Sequence, residues 1–369
     1  VRDSRRFDVN RYSSDSLSVI EVNFLEKESL NAIPDDIDVA YYLIHSMSVS
    51  QGDFETLEEL SAINFTERMS EIAVKQVIYL SGIVNEAELS KHLHSRKHVE
   101  EIISSGTFPL TTLRAGIIVG SGSASFEIMR DLVEKLPVMI APRWLQTLSQ
   151  PISVRNVVEF LFGVILKADT YNRSFDIGGP DVLTYKQMLL KFAGVRGLNR
   201  SIFIVPVMTP KLSSYWLYFV TSISYPLAQN LVDSMKVNVL CRKNNLAEQL
   251  GIQLLSYEDA IALAFDKIEQ NQVVSSWSDA LGSNILDTGI ASHIQVPEFG
   301  CFKDKKLQKI NDAQQVIDNI WKIGGDTGWY YGNLLWNIRG FLDKMFGGVG
   351  LRRGRKNPVA LSAGETLDF

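Results

Sequence analysis

Cysteine is scarce in this sequence: only Cys241 and Cys301 occur among 369 residues. Neither has another cysteine or a histidine at the spacing of a metal site. Two distant cysteines are typical of buried thiols in a reducing compartment, and a disulfide between them is the less favoured alternative. We therefore expect a cytoplasmic protein without a metal site.

A long apolar run and an excess of positive charge are also missing. The most apolar region, residues 201–235, is interrupted by Pro206, Pro210, Lys211 and Pro226, whereas a membrane-spanning helix needs about 20 apolar residues. The polar, basic start is not a signal peptide. A net charge of −5 gives no general attraction to nucleic acid. These features predict a globular protein with a small-molecule substrate, without a membrane span or a nucleic-acid partner, and leave its oligomeric state open.

Several catalytic motifs do not occur. The sequence contains no H-E-x-x-H, C-x-x-C or G-x-S-x-G pattern. The acid pairs Asp35–Asp36 and Glu58–Glu59 are neighbours in sequence, so each pair points in two directions and forms no paired-carboxylate site. The segment GGVGLRRGRK lacks the G-K-[ST] ending of a P-loop, and a solvated turn is favoured there over an anion site.

What the first half does contain is an alternation of strand-like and helix-like segments. The strand-like segments are SLSVIEVNF (16–24), DVAYYLIHS (38–46), KQVIYLSGI (75–83) and PLTTLRAGIIVG (109–120). Segments with helical spacing of apolar residues, 54–74 and 89–105, lie between them. This alternation is typical of βαβ units that form a parallel sheet with helices on both faces. The fold class expected is α/β.

A change of composition divides the chain near residues 271–276. We interpret residues 1–271 as a Rossmann-like domain with a substrate-side subdomain, and residues 275–369 as a small α+β domain. The second part is rich in glycine and in aromatic residues, namely Trp321, Trp329, Tyr330, Tyr331, Trp336 and Phe341. These side chains form either the core of the small domain, which we favour, or the lining of an apolar-ligand cavity.

A candidate phosphate-binding loop follows the apolar run that ends near residue 120. Gly120 and Gly122 precede a helical segment, as in a dinucleotide-binding loop, but Ser125 stands where the third glycine of G-x-G-x-x-G belongs. The strand after that helix also offers no acid for a ribose. The sequence therefore disfavours this loop as the pyrophosphate site.

The opening residues VRDSRR suggest a different location for the cofactor. They suit the end of the second strand of a Rossmann domain, where arginine neutralises a 2′-phosphate. On this interpretation Arg2, Arg5 and Arg6 favour NADP over NAD, and the first strand with its glycine-rich loop would lie upstream of Val1. A solvated basic N-terminus is an equally weighted alternative.

Several segments resemble a known family. They are VAYYLIHSMS, VIYLSGI, LSKHLHSRKHVEEI, LRAGIIVGSGSASFEIMRDLVEKLPVMIAPRW, QPISVRNVVEFL, FDIGGPDVLTYKQML and TPKLSSYWL. Together they resemble the atypical short-chain dehydrogenase/reductases, in particular the NmrA-like NAD(P)H-binding group of bacterial proteins. The tail GWYYGNLLWNIRGFLDKMFGGVGLRRGRKNP resembles the domain of unknown function that often follows in those proteins, for which a helix-grip fold is one expectation. The resemblance implies an N-terminally incomplete Rossmann domain that lacks its glycine-rich loop.

The resemblance also implies a set of cofactor contacts. They are Arg2, Arg5, Asn23, Phe24, His45, Ser46, Met47, Leu80, Gly82, Arg114, Ala115 and Gly116. At the third strand, asparagine replaces the acid that is usual in the family, which leaves the selectivity for adenine open. The expected cofactor is NADP, with NAD as an alternative.

Reductases of this type carry a Tyr-x-x-x-Lys pair on one helix face, and here the matching positions are His92 and Arg96. Histidine titrates near neutral pH and can donate a proton, arginine can hold ribose hydroxyls, and Ser81 can polarise a carbonyl. The alternative is that His92, His94 and His98 form an exposed polar face. We therefore expect an NAD(P)H-dependent oxidoreductase of a carbonyl or enone. A dinucleotide-binding redox sensor without turnover is the alternative, and apolar-ligand binding by the C-terminal domain is a minor one.

Overall fold

The computed structural model describes part of the chain in detail. The described residues are 1, 17–44, 54–83, 91–205, 217, 228–229, 231–232, 235–269, 309, 312–324 and 327–345. They divide into two compact units. Unit 1 comprises residues 1–118, 144–188 and 230–257, and unit 2 comprises residues 119–143, 189–229 and 258–369. The boundary predicted at 271–276 lies outside the described residues and stays a prediction.

The described strands and helices follow one another along the chain in this order. The strands are β1 (Val39–Tyr42), β2 (Gln76–Gly82), β3 (Leu110–Ala115), β4 (Ile118–Val119), β5 (Val138–Pro142), β6 (Leu148–Ser149), β7 (Ile152–Ser153), β8 (Arg173–Ile177), β9 (Leu183–Thr184) and β10 (Ser201–Val205). The helices are α1 (Phe54–Glu71), α2 (Lys91–Ser104), α3 (Ala124–Lys135), α4 (Val154–Gly163), α5 (Tyr185–Val195), α6 (Leu246–Gln249), α7 (Tyr257–Glu269), α8 (Ala313–Trp321) and α9 (Asn333–Met345). Short 3-10 helices cover Lys27–Ala32, Arg143–Gln146 and Ala168–Thr170.

A parallel sheet forms the centre of unit 1. Within the described residues its order is β1-β2-β3-β8, and all three pairings are parallel. The central strands β2 and β3 are almost entirely buried, as expected for a sheet covered on both faces, whereas the outer strands β1 and β8 are partly exposed. The prediction of an α/β fold with a parallel sheet is therefore confirmed.

The two faces of this sheet have separate apolar cores. On one face Val77 and Tyr79 pack in a cluster with Phe65 and Met69 of α1 and with Val99 and Ile103 of α2. On the other face Ile78 and Leu113 pack with Val157 and Phe160 of α4. Successive residues of a strand point to opposite faces, so the almost continuous apolar run of β2 feeds both cores.

Two strand predictions differ from the structure. The segment 109–120 is not one strand: β3 ends at Ala115, and the Ile117 carbonyl accepts a hydrogen bond from the Ile152 nitrogen at 2.9 Å. The described part of segment 16–24 is not assigned as a strand. Its backbone nevertheless pairs with Val1 in a parallel pattern, since Val1 N donates to Ile20 O at 2.8 Å and Val22 N donates to Val1 O at 2.9 Å.

Unit 2 contains its own small sheet and core. Strands β5 and β10 pair in parallel, and Phe126, Phe192 and Phe265 meet with ring centroids 5.2–5.5 Å apart. In the described part of the tail, α8 and α9 flank an antiparallel bridge between Gly324 and Gly328. None of the helices within the described ranges is long and apolar enough to cross a membrane.

Candidate functional site

The carboxyl ends of β2 and β3 bring four of the predicted site residues together. Gly82 pairs in register with Ala115, and the Ile83 nitrogen donates to the Ala115 carbonyl at 3.1 Å. Gly116 follows directly, and a Cβ at that position would lie 3.2 Å from the Gln150 carbonyl oxygen, so the backbones approach too closely for an ordinary side chain. In open parallel sheets, ligands bind outside this edge. The structure therefore places these residues where a Rossmann-like fold holds its ligands.

Ser81 is the most unusual group at this edge. Its side chain is buried, with 2% exposure, and its Oγ has no hydrogen-bond partner of acceptable geometry in the described structure. A buried polar group without a partner costs about 1–3 kcal/mol, so native proteins seldom retain one without a reason. Tyr79 lies two residues earlier on the same face of β2. Burial raises the pKa of Tyr79, while the Arg96 charge and the Ser81 hydroxyl lower it in part.

Helix α2 carries His92, the predicted proton donor, and Arg96, the predicted ribose anchor, one turn apart. We call these two residues the acid–anchor pair. The backbone of His92 is helical, and its side chain lies outside the described part of the structure. Arg96 is half-buried, and its carbonyl accepts a long, 3.5 Å hydrogen bond from the Tyr79 hydroxyl. His98 is half-exposed and lies 3.6 Å from Glu59 and 3.8 Å from Glu101, which places it in a polar surface cluster. The helix thus combines a sheet-facing side near Arg96 with the exposed polar face that we considered as the alternative.

Arg114 binds protein groups, although the resemblance assigns it to the cofactor. Its Nη2 and Nε donate to Glu100 Oε1 and Oε2 at 2.7 and 3.0 Å. Ser174 Oγ of β8 donates to the same Glu100 at 2.8 Å. Neither Glu100 nor Ser174 was predicted from the sequence. The available signal was the spacing of Glu100, which lies four residues after Arg96 and eight after His92 on the same helix.

Asn23 and Phe24 take part in local packing at the turn after segment 17–22. Asn23 Nδ2 donates to Glu26 Oε1 at 2.7 Å, and its Oδ1 accepts from the Leu25 nitrogen at 3.2 Å. The Phe24 ring packs on Phe65 at 6.2 Å between centroids. Asn23 is half-buried. Its role beside the adenine of a cofactor stays a prediction.

The remaining predicted contacts are of two kinds. Leu80 is half-buried and packs on the α4 face of the sheet, opposite to Ser81. The others lie outside the described residues: they are Arg2, Arg5, His45, Ser46 and Met47.

The Gly120 loop is occupied by a carboxylate of its own chain. Ser123 caps α3 by accepting from the Phe126 nitrogen at 3.3 Å, and the Gly122 N–H donates to the Glu127 side chain. Burial raises the pKa of Glu127, and Arg130, paired with it at 2.6 Å, lowers it in part. A phosphate at this loop would meet a carboxylate. Within the described ranges, no group of three or more histidine, cysteine, aspartate or glutamate side chains is arranged to hold a metal ion.

Comparisons with known proteins agree with this architecture. Residues 301–369 match the family described as protein of unknown function DUF2867. A search of curated proteins found none that matches the sequence. Among solved structures, a nucleoside-diphosphate-sugar epimerase from Staphylococcus aureus matches with a TM-score of 0.56 and 12% identity, over 71% of this chain and 88% of that one.

Two further solved structures contain a dinucleotide. WbmG of Bordetella bronchiseptica, in complex with NAD and UDP, matches with a TM-score of 0.54 and 11% identity over 72% of this chain and 82% of that one. The triphenylmethane reductase of Citrobacter sp., complexed with NADP(H), matches with a TM-score of 0.53 and 15% identity over 67% of this chain and 84% of that one. The main part of this chain therefore has the Rossmann-like fold that these solved structures share, and its residues 301–369 match DUF2867.

Proposed function

We propose that this protein is an NAD(P)H-dependent oxidoreductase that reduces a carbonyl or an enone. The observation that carries the proposal is the buried, unpartnered hydroxyl of Ser81 at the carboxyl edge of the sheet, next to the backbone of Ala115 and Gly116. A carbonyl oxygen is an acceptor that would satisfy this donor. The fold supports the same conclusion, because solved structures of this fold hold NAD or NADP(H).

The described residues fit the nicotinamide end of such a cofactor. The carboxyl edge offers small residues, Gly82, Ala115 and Gly116, beside which a flat ring can approach the backbone. Side chains for the 2′-phosphate would be Arg2 and Arg5, which favours NADP over NAD. Contacts to the pyrophosphate would come from segments other than the described ones.

The reaction proposed consumes one proton and one hydride per carbonyl. When bound, the nicotinamide cofactor would supply the hydride, to the carbonyl carbon of a ketone or aldehyde or to the β-carbon of an enone, and one proton completes the reduced product. Ser81 donates a hydrogen bond to the carbonyl oxygen as negative charge develops on it, which is where a fixed donor is most effective. His92 delivers the proton, since histidine titrates near neutral pH. Arg96 holds the ribose hydroxyls and keeps its charge throughout.

A dinucleotide-binding redox sensor is the second candidate. Two observations favour it: helix α2 has histidine and arginine where reductases of this type have tyrosine and lysine, and the Ser81 side chain is only 2% exposed. A substrate reaches Ser81 only if neighbouring side chains move. Binding of NADPH without turnover would fit this arrangement.

The C-terminal region has a separate proposed role. Tyr331, Leu334 and Leu335 are among its most exposed apolar side chains, with exposures of 89%, 73% and 69%. Apolar-ligand binding by this region is the minor alternative.

Location in the cytoplasm is proposed from the low cysteine content alone.

A substitution at His92 separates the first two candidates. NADPH binding is measured by fluorescence, and NADPH oxidation is measured with a panel of quinones, triphenylmethane dyes and enones. The enzyme proposal expects His92→Ala to lower turnover by about 10²- to 10⁴-fold, the usual contribution of a general acid, while NADPH affinity stays within a few-fold. His98→Ala, on the same helix but in the surface cluster, is the matched control and should retain turnover.

Each outcome has a definite meaning. NADPH binding without oxidation on any panel member by the wild-type protein favours the sensor. Equal turnover in His92→Ala and in the wild type removes His92 from the mechanism. No NADPH or NADH binding at all would overturn both candidates.

A further inference from the structure

A buried charged fork joins α2 to the neighbouring strands β3 and β8 of the sheet. Glu100 of α2 accepts both donors of the Arg114 guanidinium edge, at 2.7 and 3.0 Å, and a third hydrogen bond from Ser174 at 2.8 Å. The carboxylate side chain is 11% exposed and the guanidinium side chain is 17% exposed. Bidentate arginine–carboxylate pairs fix orientation as well as distance. This fork therefore holds α2, β3 and β8 in one relative arrangement.

Both residues of the fork lie close in sequence to residues of the proposed active site. Arg114 immediately precedes Ala115 and Gly116 at the carboxyl edge of the sheet. On α2, positions 92, 96 and 100 are separated by four residues each, so they share one face of the helix. A rotation or a one-residue slide of α2 would move Arg96 away from the strand ends and would break the fork at the same time.

A second polar contact holds α2 from its other side. Ser95 Oγ donates to Glu58 Oε2 of α1 at 2.6 Å, and both residues are buried. Apolar contacts of Val99 and Ile103 add stability, but such contacts are non-directional and tolerate small shifts. The directional contacts, rather than the apolar ones, therefore define the register of α2 on the sheet.

We propose that Glu100 and Arg114 are positioning residues, which set the acid–anchor pair of α2 against the carboxyl edge, and that the Arg114 side chain does not contact the cofactor. The proposal rests on the proposed function for its catalytic consequence, but the register of α2 can be tested without turnover. The fork engages the Nε and Nη2 edge of the Arg114 guanidinium, so a cofactor contact by this side chain would have to use the opposite, Nη1 side.

The test compares single and paired substitutions in the full chain. Arg114→Lys keeps the charge but loses the bidentate geometry, and Glu100→Gln keeps the shape but loses the charge. The double variant Glu100→Leu/Arg114→Met replaces the ion pair with apolar side chains of similar size, which is often neutral or stabilising for a buried pair. Gln76→Leu, at the opposite end of the sheet, is the control for loss of stability without loss of positioning.

If Glu100 and Arg114 are positioning residues, the double variant should keep its thermal stability but lose turnover. Its thermal midpoint should return to or exceed the wild-type value, while its turnover stays about tenfold to a hundredfold low, as expected when a catalytic group is misplaced by about an ångström. NADPH affinity should fall by a smaller factor, since only the ribose anchor is displaced. Recovery of turnover together with the thermal midpoint would show that the fork is merely structural and would overturn the proposal.

Hydrogen exchange of the backbone amides tests the positioning proposal without requiring an active enzyme. In the double variant, amides of α2 and of the end of β3 should exchange faster than in the wild type, at equal global stability. If the wild type neither binds NADPH nor turns over, the proposed function fails, and this measurement still decides the positioning claim. Unchanged exchange in α2 would overturn it. A loss of NADPH affinity that is greater in Arg114→Lys and in the double variant than in Glu100→Gln would instead assign Arg114 to the cofactor.

Discussion

Buried polar side chains at the amino end of the central sheet have hydrogen-bond partners, whereas a buried hydroxyl at its carboxyl end does not. At the amino end, Gln76 Nε2 donates to Thr111 Oγ1 at 2.9 Å and to the Val164 carbonyl at 3.0 Å, and its Oε1 accepts from the Leu166 nitrogen. Thr111 Oγ1 in turn lies 3.1 Å from Thr170 Oγ1. At the carboxyl end, the Ser81 hydroxyl is equally buried and has no such partner in the described structure.

This difference separates the structural end of the sheet from its functional end. Gln76 and Thr111 are both fully buried, and their hydrogen bonds join two strands to the segment after α4. Such a network is complete without a ligand. The carboxyl end has small residues and a buried hydroxyl donor without an acceptor. Such an arrangement lowers stability unless a ligand accepts the hydrogen bond.

Loss of the network at the amino end should have the largest effect on stability. Gln76→Leu removes the hydrogen bonds of a fully buried amide to Thr111 Oγ1, to the Val164 carbonyl and from the Leu166 nitrogen, and we expect a loss of about 3 kcal/mol in the free energy of unfolding. Thr112→Val is the contrasting variant, because the Thr112 hydroxyl is buried and unpartnered already. It should be neutral or slightly stabilising. Urea unfolding measures both, and equal losses would contradict the comparison.

The carboxyl end should show the opposite profile. Ser81→Ala removes a buried hydroxyl that interacts with the Tyr79 side chain but has no hydrogen bond of acceptable geometry, so the free energy of unfolding should change by no more than about 1 kcal/mol. Turnover of the best panel substrate should fall by about 10²-fold, the scale expected for one donor to a developing oxyanion. A marked loss of stability with unchanged turnover would show that Ser81 is a structural residue like Gln76.

The smallest effect concerns the buried tyrosines of the α1–α2 face. Burial raises the pKa of Tyr42 above its ordinary value of 10.0, and Tyr79 and Glu58 add to the shift. The unfolded state therefore releases this proton first, so the stability is fully present below about pH 10 and is lost as the pH rises further. Tyr42→Phe should reduce the loss between about pH 9 and pH 11 by about 1 kcal/mol. The exposed Tyr330→Phe is the control, and an identical pH profile in both variants would contradict the assignment.

Local patterns predicted much of the fold. The alternation of apolar and amphipathic segments predicted the parallel sheet, because backbone geometry imposes different periods on strands and helices. Helix capping follows the same local rule: Thr184 directly precedes α5, and its Oγ1 accepts from the Gln187 nitrogen at 3.1 Å. Such features depend on neighbours within a few residues, which a sequence displays directly.

Contacts between distant segments were predicted less well. The strand at 109–120 was expected to be continuous, but it ends at Ala115, where the backbone turns to pair with Ile152. The bond between the Arg114 side chain and Glu100 was not predicted, and the cofactor contact that the resemblance assigns to Arg114 stays a prediction. A sequence shows that both residues are charged but does not show that helix α2 brings them together.

The sequence by itself determined the α/β class of this protein, the order of its strands along the chain and the residue types that stand at their carboxyl ends. The tertiary structure alone decided which buried polar groups have hydrogen-bond partners, as Gln76 and Arg114 do, and which do not, as is the case for the hydroxyls of Ser81 and Thr112. The physical reason is that period and propensity act over a few residues, whereas the pairing of a buried polar group depends on segments that meet only when the chain is folded.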